Sequence, residues 1–149
     1  MANGVAIIAV TPTKAIGSGP DNRNVMLQLQ QATRNLATSM IVNAQRWVVM
    51  ANAQSPDVVT LGGYLTNAAA SYLNILTMAQ GWIAANPTQA TAALALDGMT
   101  ADDFNNYIAP LTTAATALQK SDVSTYAAIG AAANAVIAAV PMPASIFGT

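Results

Sequence analysis

The stretch VMLQLQQATRNLATSMIVNAQRW, residues 25–47, places Val25, Leu29, Ala32, Leu36, Met40, Ala44 and Trp47 at steps of three and four residues. Such spacing lines one face of an α-helix, which completes a turn every 3.6 residues. Sustained over this length, it predicts one long helix that starts after Pro20, where Asp21 or Asn22 can cap the free amides, and ends near Ala53. The opposite face carries Gln28, Gln31, Asn35 and Ser39, polar and uncharged. A helix that faces water ordinarily shows charge there. An amide can instead satisfy its hydrogen bonds across an interface without the desolvation cost of a charge. Gln28, Gln31 and Asn35 are therefore expected to lie partly covered by another subunit.

Downstream, "SPDVV" reads as a helix start, with Ser55 as N-cap, Pro56 at the first helical position and Asp57 at the positive end of the dipole. The second long helix carries Leu61, Leu65, Ala68, Tyr72, Ile75, Ala79 and Ile83 on one face and closes at Ala85 to Pro87. Gly62 and Gly63 weaken its first turns and suggest a kink or a close contact. Asn86 and Pro87 can start a short helix that runs to Leu96 and stops at Asp97 and Gly98. Thr100 and Asp103 have the spacing of a capping box for the next helix, lined by Phe104, Ile108, Leu111, Ala115 and Leu118. Pro110 must either kink that helix or mark a fresh start. Ser121 is the expected cap of a last helix with Tyr126, Ile129, Ala133, Val136 or Ile137, and Val140 inward, and Pro141 and Pro143 end helical structure. The expected fold is an all-α helical bundle of two long and two or three shorter helices. Small residues such as Ala68 and Ala133 let its axes approach closely.

Outside the bundle, residues 4–10 form an apolar run too short for a helix and rich in Val and Ile, which favours an extended conformation. A lone strand has unpaired amides and needs a partner. Ile7, Ile8 and Val10 are therefore expected to bury against another subunit, with Gly17, Ser18 and Gly19 as the hinge. The C-terminal PMPASIFGT, extended by its prolines, carries Ile146 and Phe147 in the same role. The chain thus divides into an N-terminal arm and hinge over residues 1–20, a helical bundle over 21–140, and a C-terminal tail over 141–149.

At 149 residues the chain has the length of one domain. Only 7% of it is Asp, Glu, Lys or Arg, against about 25% in ordinary soluble domains. A net charge of −1 supplies little repulsion between copies. With no His, Cys or Glu, general acid–base chemistry would fall to Asp, Lys and Tyr, and thiol chemistry is excluded. Asp102 and Asp103 point about 100° apart on a helix and read as cap and dipole partners rather than cation ligands. The Gly17 to Gly19 stretch lacks the ending of a phosphate-binding loop. Arg23, Arg34 and Arg46 are too dispersed for a nucleic-acid patch, so no nucleic-acid specificity is expected. No catalytic, cofactor-binding or metal-ligating residue is expected, and no cofactor. The opening lacks the basic start and cleavage region of a secretory signal.

The low charge, the Ala, Asn, Gln and Thr surface, the absence of His and Cys, and two apolar arms around a helical body together resemble bacteriophage virion subunits. The resemblance lies in composition and layout. It implies a non-enzymatic building block of a capsid, head–tail connection or tail, assembled in the host cytoplasm, that binds copies of itself and other virion proteins. A second possibility rests on residues 58–96 and 123–149, which contain no charged residue. These segments would suit a small holin-like pore former of the host inner membrane, although Asn67, Asn74, Gln80, Asn86 and Asn134 interrupt them.

Overall fold

The structure, a computed structural model, describes residues 19–141. Five helices follow one another: α1 Gly19–Ala53, α2 Val58–Ala85, α3 Pro87–Leu96, α4 Ala101–Gln119 and α5 Tyr126–Ala139. This is the all-α bundle expected, with two long and three shorter helices and no strand among the described residues. The arms expected at residues 1–20 and 141–149 lie, but for their inner ends, outside the described residues.

Helix ends show how local chemistry shapes the chain. α1 ends in a Schellman motif: Ser55 N–H donates to the Met50 carbonyl and Gln54 N–H to that of Ala51, both at 3.1 Å. Gln54 takes the left-handed conformation this requires, at φ 55°. Ser55 is thus engaged in closing α1, and the N-cap of α2 is Asp57 rather than the expected Ser55. The Asp57 carboxylate accepts from Thr60 N–H at 3.0 Å and from the Thr60 hydroxyl at 2.9 Å. A second Schellman motif ends α3 at Gly98, φ 72°, where Met99 N–H reaches the Leu94 carbonyl. The capping box expected at Thr100 and Asp103 is present with both of its hydrogen bonds. At the last helix the expected cap Ser121 donates backward to the Ala117 carbonyl at 2.8 Å, and Thr125 caps α5 instead. Upstream, α1 begins at Gly19, so Asp21 and Asn22 stand inside its first turn.

Pro110 lies within α4, which runs through it as one element. Its missing N–H leaves the Asn106 carbonyl without a helical donor. Asn106 is exposed to solvent.

The four-residue turn from α1 to α2 folds them into an antiparallel hairpin. α4 packs along α2, with Val123 just beyond α4 seated on Gly62 near the start of α2. α5 packs along α1, beginning beside its end, where Gly130 lies against Ala51 and the Tyr126 hydroxyl donates to the Pro56 carbonyl at 2.7 Å. Contacts of α4 with α5 and of α1 with α2 close a ring of four helices. α3 covers the N-terminal half of α1, where the buried Gln30 amide reaches Met99 Sδ at 3.5 Å.

Leu36, Trp47, Leu65, Tyr72 and Ile129 are all buried, as the helical spacing requires. The inward stripe of α1 also takes in Met26, Thr33 and Ala37, while Val25 and Ala32 sit half-buried at its margins. The expected approach at the paired glycines occurs at Gly62 and not at Gly63, whose Cβ position faces open space.

A candidate assembly surface

With α2, α3 and α5 packed around it, α1 keeps one ridge clear of the bundle. Gln28, Gln31, Asn35, Thr38, Val42, Gln45, Val49 and Asn52 all lie along it, outside the buried stripe. Ser39 and Arg46 flank the same ridge. From residue 24 to the end of α1, Arg46 is the one exposed charged side chain.

The three helix residues singled out for contact, Gln28, Gln31 and Asn35, thus share the outward face, and the Gln31 amide donates to Asn35 Oδ1 at 3.3 Å. Ile7, Ile8, Val10, Ile146 and Phe147 lie outside the described residues. Sequence reasoning stopped at the amides and missed the continuation of the ridge through Val42 and Val49. A signal was available, because residues 28, 35, 42 and 49 recur at seven-residue intervals on the polar side. Val49 is 67% exposed and Val42 is 38% exposed. With Gln45, Arg46 and Met50 they line an open hollow of about 320 Å³.

Other solvent-facing apolar groups stand apart from this ridge: Val59, Tyr64 and Met78 on α2 and Leu96 at the end of α3. A second hollow, of about 390 Å³, runs from Gly62 and Gly63 to the turn after α4. In that turn the Asp122 carboxylate accepts from the hydroxyl and N–H of Ser124.

Several ionisable groups are engaged in local structure. Asp57 titrates below the usual carboxylate range, chiefly because Thr60 N–H and then the Thr60 hydroxyl stabilise its charge. Asp122 is held low by the Ser124 hydroxyl and backbone. Burial raises the Tyr72 phenol, partly offset by the Asn43 amide, which donates to it at 2.9 Å. Burial likewise raises Tyr107, offset in part by the charge of Arg34. Among the described residues no three His, Cys, Asp or Glu side chains gather where they could hold a metal ion. No helix among them is long and apolar enough to cross a membrane.

The ridge presents donors and acceptors in equal measure from its amides, methyl groups from its valines, and almost no charge to desolvate. Compared with protein-family models, with curated proteins and with solved structures, the chain shows no match.

Proposed function

We propose that this chain is a structural subunit, without catalytic function, of a large protein assembly, and specifically of a bacteriophage virion. It would serve in a capsid, head–tail connection or tail, held by helical packing and by exchange of its arms with copies of itself and with other virion proteins. The observation that carries this reading is the outward ridge of α1, on which Arg46 is the one exposed charge from residue 24 onward. Such a surface gives little repulsion between copies, and its amides can pair across a contact. The phage assignment rests on the resemblance in composition and layout. The holin-like alternative rests on the charge-free runs 58–96 and 123–149.

Sedimentation in detergent-free buffer and electron microscopy of the resulting particles test the proposal. A heavy, regular species is the expected result. A single monomeric species at every concentration refutes the assembly role, and partition into the membrane fraction would restore the pore-forming alternative. Gln31→Glu places a charge on the ridge, and the expected result is a lighter assembly with little change in melting temperature. An unchanged assembly would remove Gln31 from the contact.

A further inference from the structure

We propose that Met99 is a redox-sensitive latch between α3 and α1, and that a peroxide, by converting its thioether to the sulfoxide, releases α3 from the N-terminal half of α1. The latch acts within one chain and stands whether or not copies assemble.

Its place in the fold singles Met99 out. Met99 N–H donates to the Leu94 carbonyl at 3.0 Å and so closes α3, while its Sδ accepts from the Gln30 amide of α1 at 3.5 Å. One residue thus ends the short helix and ties that end to the long one. The amide it holds is set in the interior: Gln30 is 8% exposed, and its carbonyl accepts from the hydroxyl of the wholly buried Thr33 at 2.9 Å. A thioether is a weak acceptor, so this bond is weaker than one to a carbonyl oxygen.

α3 depends on such an attachment. Its 10 residues fall short of the about 12–15 that an isolated helix needs for even marginal stability. It stands outside the ring of four, buries Ala90, Ala93 and Leu94, and meets α1 more than it meets α2 or α4.

Oxidation changes the contact at the sulfur. The peroxide transfers one oxygen atom to Sδ: a sulfur lone pair forms the S–O bond, the O–O bond breaks, sulfur is oxidised by two electrons, and the peroxide is reduced to water or an alcohol. An oxygen on the lone pair that faces Gln30 would stand closer to Nε2 than the about 2.7–3.2 Å of an N–H···O bond, so the joint between α3 and α4 has to move outward. On the other lone pair it would be set among the apolar groups that Met99 packs against, a polar acceptor without a donor. Access selects the site. Met99 is half-buried between exposed Gly98 and Thr100, whereas Met26 and Met40 are wholly buried. Met78 is 37% exposed, so oxygen added there can point to water, and Met50 lies at the far end of α1 from α3.

To test the latch, the full-length protein and its Met99→Leu variant are treated with dilute hydrogen peroxide, oxidised positions are located by peptide mass spectrometry, and amide hydrogen exchange is followed before and after. In the unsubstituted protein the amides of residues 87–96 are expected to exchange about tenfold faster once Met99 carries its oxygen, the factor to which one lost buried hydrogen bond corresponds, while α2 and α5 keep their protection. Methionine sulfoxide reductase should restore the slower rate. Met99→Leu cannot take up oxygen at that position and should show no change on treatment, whatever its starting rate, and oxidation at Met1, Met50, Met78 and Met142 is common to both proteins. Oxidation at Met78 with none at Met99 overturns the proposal, as does an oxidised Met99 with α3 exchange unchanged or slowed. An equal acceleration in Met99→Leu overturns it too, by placing the effect at another methionine. Should Met99→Leu not fold by circular dichroism, the time course of the unsubstituted protein decides instead, since faster α3 exchange must rise in step with oxidised Met99 and not with oxidised Met78.

Discussion

Gly62 and Gly63 are neighbours in α2 with opposite surroundings. A Cβ on Gly62 would stand 3.0 Å from Val123 Cγ2 and 3.1 Å from the Val123 carbonyl, whereas one on Gly63 meets nothing within 4 Å. Alanine is worth about 1 kcal/mol over glycine within a helix. Gly63→Ala is expected to stabilise by up to that amount in urea unfolding, and Gly62→Ala to lose that gain to crowding. At Gln54 the sign runs the other way, because a side chain held at positive φ costs about 1–2 kcal/mol that glycine avoids. Gln54→Gly is accordingly expected to raise stability by about 1 kcal/mol, net of the entropy glycine adds to the unfolded chain. Leu36→Ala and Leu65→Ala should each cost about 2–5 kcal/mol in the same experiment, since both side chains are buried. Burial at these leucines was legible in the sequence because spacing alone decides which side of a helix is covered. The conformation of Gln54 was not, since glycine or asparagine is the usual occupant of such a site and nothing local marks glutamine for it.

At the scale of the element, the helices were legible and three of their starts were not. Ser55 and Ser121 both have the right chemistry for an N-cap, but both come too early, where the preceding helix still needs closing. The caps fall to Asp57 and Thr125, and the choice depends on how the previous helix ends rather than on either side chain by itself. Thr100 has no such competitor, and its box formed as the spacing indicated. Thr100→Ala should cost about 1 kcal/mol. These caps also shape the response to acid. Asp57 and Asp122 have folded-state pKa values below the ordinary 3.8, so their stabilisation is present above that value and is lost as the pH falls through the lower folded one. Tyr72 and Tyr107 have folded-state values above the ordinary 10, so their contribution is present below pH 10 and is lost as pH rises beyond it. With no histidine, cysteine or glutamate to titrate between, melting temperature should stay nearly flat from about pH 5 to about pH 9. Asp57→Asn should blunt the acid-side fall.

For the whole molecule, the scarcity of charge predicts that the proposed assembly will change little between about 0.1 M and 1 M salt, where an ion-pair interface would weaken. Deleting residues 1–12 should leave the helical circular dichroism and the melting of the bundle intact while shrinking the assembly. Loss of the fold in that variant would make the arm part of its own core. The ring of four helices could not be read from the sequence, because periodicity gives each helix a buried face without saying which other face covers it. Pairing in space also departs from order along the chain. The buried face of α1 in its C-terminal half is covered by α5, the most distant helix in the sequence. At about 5–20 residues per second, a ribosome needs several seconds to pass from the end of α1 to the start of α5. During that interval the face of α1 around Ala51, which Gly130 of α5 later meets, has no α5 to close over it. Chaperone capture should therefore peak on ribosome-bound chains that end between α2 and α5 and fall away once residues 126–139 have emerged.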